Sequence, residues 1–79
     1  MKYNIALTGI AAEEAGKNEL VIELMGPVKL SELESELQKK IPALGRYLIK
    51  FSVNGHFHHE DVSVSEGDEL LVFTPYAGG

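Results

Sequence analysis

Alternating apolar and polar positions open the chain. Tyr3, Ile5 and Leu7 are separated by polar or small residues, and this period of two is typical of a strand with one buried face. Residues 10–18 combine alanines with charges and predict a connecting loop or a single helical turn. Residues 19–25 are rich in β-formers, so we expect a second strand that pairs with the first.

The middle of the chain changes to a helical period. Leu30, Leu33 and Leu37 recur at spacings of three and four, so a helix over residues 29–41 would turn one apolar stripe towards the sheet. Ile41 extends this stripe by one turn. The intervening charged side chains are expected to face water: Glu32, Glu34, Glu36 and Lys39.

The two ends of this helix follow from different residues. A capping box from Ser31 to Glu34 is one candidate start, but Leu30 belongs to the apolar stripe and favours a start near Leu30. Pro42 ends the helix, because the residue before a proline is pushed out of the α region. Residues 43–45 then return the chain to the sheet.

The pair Asn54-Gly55 is the strongest hairpin signal in the chain. It follows a third predicted strand over residues 48–53 and precedes a short fourth strand that begins at His56. The inner face of the third strand would carry alternate apolar residues: Ile49, Phe51 and Val53.

A two-residue loop fixes the register of this hairpin. Val53 would face His56, and Ser52 would face Phe57. Strict alternation would then turn His58 towards the core, so we expect the pairing to end before it.

The last predicted strand follows a turn over residues 65–68 and covers residues 69–73. Its even-numbered side chains would point inward and its odd-numbered ones outward. Phe57 and Phe73 are therefore both predicted on the outer face of the sheet.

The order strand, strand, helix, strand, strand, strand predicts the α+β class and a β-grasp (ubiquitin-like) fold. A mixed sheet of four to five strands would pack on one main helix. The first and last strands would be parallel neighbours at its centre. We expect a single domain over residues 1–79, in which residues 75–79 form a flexible tail.

That tail ends in Gly78-Gly79. Glycine has no Cβ, so these residues could thread a channel that excludes side chains. Five extended residues from Pro75 would carry the terminal carboxylate about 17 Å from the folded body. Adenylation would make this carboxylate an electrophile for a sulfur or nitrogen nucleophile. The alternative is an ordinary frayed terminus, since small residues are tolerated at chain ends.

Composition narrows the function classes. Seventy-nine residues allow one modest core, and the absence of cysteine excludes disulfides, Cys-ligated metals and a thiol nucleophile. The net charge of −5 argues against nucleic acid and anionic membranes as partners and favours basic protein surfaces. No signal peptide or membrane span is recognisable, so we expect a cytoplasmic protein.

Three histidines, His56, His58 and His59, raise the question of a metal site, because imidazoles two residues apart on a strand share a face. No cysteine or carboxylate pattern completes a tetrahedral ligand set. We therefore interpret them as a solvated hairpin end and expect no bound metal. Nothing in the sequence positions a Ser-His-Asp arrangement either.

Three segments together resemble the MoaD/ThiS family of ubiquitin-like sulfur carriers. They are Val53-Asn54-Gly55, the turn Ser65-Glu66-Gly67-Asp68-Glu69, and the C-terminal run from Phe73 to Gly79. The first strand followed by Glu13-Glu14-Ala15-Gly16 is similar to the MoaD branch, the small subunit of molybdopterin synthase.

This resemblance implies a carrier that holds no cofactor and is catalytically incomplete alone. A ubiquitin-activating-like partner enzyme would use ATP and magnesium to adenylate Gly79, which then becomes a thiocarboxylate. The large subunit of molybdopterin synthase would receive the tail and pass the sulfur to a pterin precursor in molybdenum cofactor biosynthesis.

The resemblance also implies site residues. Gly79 would carry the sulfur, and Gly78 would give clearance in the partner's tunnel. Tyr76 and Ala77 would form the extended lead into the tunnel. Phe57 and Phe73 would pack against partner proteins, and Pro75 would also belong to the partner-binding residues. Ordinary packing under a loop is the alternative for the two phenylalanines.

Two further functions remain open on the sequence. The chain could carry sulfur for thiamine or another sulfur-containing metabolite. It could also be a ubiquitin-like modifier, whose terminal glycine forms an amide with a lysine, or a plain binding module.

Overall fold

The computed structural model describes residues 1–58 and 60–75. Its strands are β1 (Lys2–Leu7), β2 (Glu19–Glu23), β3 (Val28–Lys29), β4 (Lys50–Val53), β5 (His56–Phe57), β6 (Ser63–Val64) and β7 (Leu70–Phe73). Its helices are α1 (Gly9–Ala15), α2 (Leu30–Lys40) and a 3-10 helix (Pro42–Arg46). None of the helices in these residues has the length and apolar character needed to cross a membrane.

The main sheet contains five strands in the order β2-β1-β7-β4-β5. β1 and β7 run parallel, with Ile5 opposite Leu70 and Leu7 opposite Val72, while the other neighbours are antiparallel. The predicted β-grasp fold is therefore confirmed, as is the parallel pairing of the first and last strands at its centre.

Helix α2 covers the inner face of this sheet. Leu33 and Leu37 are completely buried, and Ile41 is nearly so, which confirms the predicted apolar stripe. The helix begins at Leu30 and ends before Pro42 as expected. Each fully buried leucine contributes about 1.5–3 kcal/mol of hydrophobic stabilisation.

Two further predictions hold in the strands. The hairpin pairs Val53 with His56 and Ser52 with Phe57, and the paired residues end at Phe57. In β7 the even-numbered side chains are buried and the odd-numbered ones are half-buried. The register inferred from a two-residue Asn-Gly loop is thus correct.

The segment after β1 was predicted as a loop or a single turn, and this is wrong. Helix α1 spans seven residues, buries Ala11 completely and ends at Gly16, whose φ of 72° is left-handed. Ala11 is small enough to bring this helix backbone close to the core. Its short apolar stripe of alanines gives a weak periodic signal, and tertiary packing decides the outcome.

The second and third predicted strands are shorter than the sequence predicted. The second strand stops at Glu23, and Met25 lies in the following turn with 98% of its surface exposed. The third strand begins at Lys50 rather than at residue 48. The ribbon of β3 and β6 was not predicted, because each of its strands has only two residues.

The side chain of Asn54 connects two turns. Its Oδ1 accepts a hydrogen bond from the Glu69 backbone N–H at 2.8 Å, and its Nδ2 donates to Asp68 at 3.3 Å. The Asn54 N–H also donates to the Glu69 carbonyl. Asn54 has a φ of 52°, which asparagine tolerates better than most residues. The β4–β5 hairpin and the start of β7 are thereby held together.

Replacing Asn54 with alanine should destabilise the protein by about 1–3 kcal/mol, because two side-chain hydrogen bonds are lost and a left-handed backbone is strained. Urea denaturation measures the change. The control is Asn4→Ala at an exposed position of β1, which should shift stability by less than about 0.5 kcal/mol. Equal stability of the two variants would contradict this interpretation.

Candidate functional site

Strand β7 leads the chain out of the sheet at Pro75. β1 and β4 flank it on both sides, and the Thr8 hydroxyl donates a hydrogen bond to the Val72 carbonyl at 2.9 Å. The predicted tail residues Tyr76, Ala77, Gly78 and Gly79 lie outside the described residues, so their predicted functions are not tested. The structure fixes only the place from which the tail departs.

Two aromatic side chains lie beside that departure point. The rings of Phe57 and Phe73 are 5.1 Å apart between centroids and meet at 60°, an edge-to-face contact. Phe57 keeps 63% of its surface exposed, whereas Phe73 is half-buried. The predicted aromatic pair on the outer side of the sheet is therefore present, and it forms an exposed apolar surface next to Pro75.

A groove of about 520 Å³ opens beside this pair, and we call it the aromatic groove. Its apolar walls come from the start of α2, from β4 and the residue before it, from β5, and from the end of β7 and the chain just after it: Leu30, Ile49, Phe51, Phe57, Phe73 and Pro75. Because β5 pairs only with Ser52 and Val53, the first half of β4 lies open to the groove.

Charged side chains form the other wall of the aromatic groove. Glu34 on α2 and Glu60 and Asp61 in the loop after β5 contribute carboxylates, and Lys50 contributes an amine. Glu34 was expected to face water, but it is half-buried. This burial raises the pKa of the Glu34 carboxyl, the Asp61 charge raises it further, and Lys50 opposes both effects.

Asp61 also caps helix α2 from a distant part of the chain. One of its oxygens accepts from the Ser31 backbone N–H at 2.9 Å, and the other accepts from the Ser31 hydroxyl at 2.6 Å. The Leu30 N–H donates to the Val62 carbonyl at 3.0 Å. The hydrogen bonds to Ser31 lower the pKa of Asp61.

The capping box from Ser31 to Glu34, the less favoured of the two candidate helix starts, does not form. Instead Glu32, the third helical residue, accepts a hydrogen bond from the Lys29 N–H, and Asp61 satisfies Ser31. Glu34 is left free to line the groove. Sequence reasoning missed Asp61 because it lies thirty residues after Ser31, beyond the reach of any local capping pattern.

The histidines show no metal centre within the described residues. His56 and His58 are both exposed, and His59 lies outside the part of the chain that the structure describes. No group of three or more ligand side chains is close enough to hold a metal ion among the described residues.

Comparison with known proteins identifies the family. The family model for ThiS matches residues 5–79, which is nearly the whole sequence. The chain belongs to the ThiS family. Comparison with curated proteins gives no match.

Solved structures agree with this assignment at the level of the fold. A molybdopterin converting factor subunit 1 of Pyrococcus furiosus has a TM-score of 0.84 and 21% identity, with 94% of this chain and 97% of that chain covered. SAMP1 of Haloferax volcanii has a TM-score of 0.82 and 25% identity, with both chains fully covered. A structure of the complex of subunits 1 and 2 of the Helicobacter pylori molybdopterin-converting factor has a TM-score of 0.66 and 22% identity, again with both chains fully covered. This ThiS-family chain therefore has the ubiquitin-like β-grasp fold.

The motifs that carried the resemblance divide into two kinds. In this ThiS-family chain Asn54 and the turn from Ser65 to Asp68 have a structural role, because the Asn54 side chain donates a hydrogen bond to the Asp68 carboxylate. Asp68 accepts from the Ser65 N–H at 2.8 Å within its own turn. Only the segment from Phe73 onward leads to candidate chemistry.

Replacing Asp61 with alanine should lower the melting temperature at neutral pH, because the first turn of α2 loses its cap. The native pKa of Asp61 is depressed, so its stabilisation is complete above the ordinary aspartate pKa of about 4 and is lost as the pH falls through the native value. Thermal melts from neutral to acidic pH measure the difference between the variant and the parent chain. The adjacent Glu60→Ala serves as control, and a difference that does not shrink in acid would contradict the assignment.

Proposed function

We propose that this chain is a sulfur carrier that works through the carboxylate of Gly79. A ubiquitin-activating-like partner would transfer AMP from magnesium-bound ATP to the carboxylate and release pyrophosphate. A sulfur nucleophile would then attack the carbonyl carbon, and AMP would leave with one carboxylate oxygen. The product is a C-terminal thiocarboxylate. The family match carries this proposal, because it extends through Gly78 and Gly79.

The proposed acceptor is a pterin precursor in molybdopterin biosynthesis. In this proposal the chain is the small subunit of molybdopterin synthase, and the large subunit completes the active site. The likeness to the Pyrococcus furiosus subunit and to the two-subunit Helicobacter pylori complex supports this choice. No catalytic group of the carrier itself is required beyond Gly79.

We assign a separate role to each residue of the tail and of the surface next to Pro75. Gly78 gives clearance in the partner's tunnel, and Tyr76 and Ala77 form the extended lead. Phe57, Phe73 and Pro75 contact the partner's surface. The exposed edge-to-face pair beside Pro75 favours this arrangement, since a partner that binds the chain at Pro75 would lie close to these rings.

A second candidate function is protein modification. SAMP1 of Haloferax volcanii, whose structures include one described as a small archaeal modifier protein, is similar over its full length. In that case the activated Gly79 would form an amide with a lysine. Transfer of sulfur to thiamine or another metabolite is the third alternative, and it differs from the first only in the activating enzyme and the acceptor.

Deletion of Gly79 tests the shared chemistry. The 79-residue chain, incubated with ATP, magnesium, sulfide and a MoaD-activating enzyme, should gain the mass difference between one sulfur and one oxygen atom. The Gly79-deleted chain should gain nothing and should melt at the same temperature, because the deletion removes none of the described core residues. Intact-mass spectrometry measures the first effect and thermal melts the second.

A parallel incubation with a thiamine-pathway activating enzyme separates the branches. Sulfur loading by that enzyme alone would move the chain to the thiamine alternative. No loading by either enzyme, or loading that survives the deletion, would refute the carrier proposal.

A further inference from the structure

The aromatic groove combines an apolar side with an acidic side at the place where the tail leaves the sheet. We propose that it binds one arginine or lysine side chain presented by a partner protein. The aliphatic stem would lie against Phe57 and Phe73, and the cationic head would lie between Glu34 and Asp61. The groove would then select partners with a basic residue at this point.

The apolar side suits the stem of a long cationic side chain. Phe57 exposes 63% of its surface, and its edge-to-face contact with Phe73 leaves aromatic surface towards the groove. Lysine and arginine stems pack on apolar surface while their heads stay polar. A cation within reach of a phenylalanine face also gains cation–π attraction.

In the part of the chain that the structure describes, no cationic side chain forms an ion pair with the acidic side of the groove. Three carboxylates line the groove, Glu34, Glu60 and Asp61, against the single amine of Lys50. Among the described residues the only ion pair is Lys39 with Glu36, which lies outside the groove lining. Glu34 is half-buried without a counter-ion within 4 Å in this part of the chain. A guest cation would offset the hydration that Glu34 loses.

Asp61 can take part without releasing its helix cap. Each of its oxygens accepts one hydrogen bond from Ser31, and an ionised carboxylate has about four acceptor positions. A guanidinium or ammonium group could therefore donate to the remaining positions. The cap would also fix the direction in which the carboxylate points.

The location favours a protein partner over a free small cation. Pro75 lines the groove, so a protein that binds the chain at Pro75 would lie next to the groove. The net charge of −5 further favours a basic partner surface. The inference rests on the proposed function only for the identity of that partner. The binding of a cationic side chain in the groove does not depend on Gly79.

The test uses N-acetyl-arginine methylamide as the probe, with the uncharged N-acetyl-norleucine methylamide for comparison. Chemical shifts of the isotope-labelled 79-residue chain are followed at millimolar probe concentrations. We expect saturable shifts around Glu34, Phe57 and Phe73 with the arginine probe only. Affinity should fall about tenfold in Glu34→Gln, because a charge-assisted hydrogen bond is lost.

Three further variants serve as controls or as a second test of the groove. Glu13→Gln removes the same charge from the exposed surface of α1 and should leave the affinity unchanged. Phe57→Ala removes an exposed ring and should also weaken binding, so it carries the test if Glu34→Gln does not fold. The Gly79-deleted chain should bind the probe as the parent does, which separates this result from sulfur loading.

Four outcomes would overturn the proposal. They are the absence of saturable shifts in the groove, equal binding of the norleucine probe, unchanged affinity in both groove variants, and groove shifts that depend on protein concentration without any probe. The last result would assign the groove to a second copy of this chain.

Discussion

The parallel pairing of β1 with β7 is the constraint on which the rest of the structure depends. Parallel neighbours cannot be joined by a tight turn, so the chain between them must cross over and return. Helix α2 lies in that crossover and closes the inner face of the sheet. The pairing also places β7 between two other strands, which gives the tail a firmly held starting point beside β1 and β4.

In this arrangement the residues that stabilise the fold are different from those proposed to carry out the chemistry. Buried residues of β1, β7 and α2 contribute to the core, and the chemistry proposed for Gly79 uses none of their side chains. A small domain without cysteine has little capacity to preorganise a catalytic centre. A carrier needs only a stable body, an exposed surface for recognition and a terminus that enters a partner's active site. The described residues supply the stable body and the exposed surface.

Much of the fold was predictable because its signals are local and periodic. The leucine stripe of α2, the alternation in β1 and the Asn54-Gly55 turn each act over a few residues. Together they gave the correct sheet register at the hairpin and the two phenylalanines on the outer side. The parallel pairing of the first and last strands followed from fold analogy rather than from any single residue.

The missed features depend on contacts between distant residues. Helix α1 is short, and its small alanines acquire helical structure through packing near the sheet. The cap of α2 comes from Asp61, and Glu34 is half-buried in the groove that Asp61 also lines. No local sequence pattern therefore predicted that these carboxylates would form the acidic wall of the aromatic groove. Only the three-dimensional structure brings Glu34, Asp61 and Phe57 to one surface.

The most direct measurement is a single turnover of the thiocarboxylated chain with the large subunit of molybdopterin synthase and the pterin precursor. Our account predicts that the chain returns to its carboxylate mass as a dithiolene product accumulates, with one sulfur transferred per chain. A thiocarboxylate that persists in that mixture, or a chain that instead becomes attached to a lysine, would contradict it.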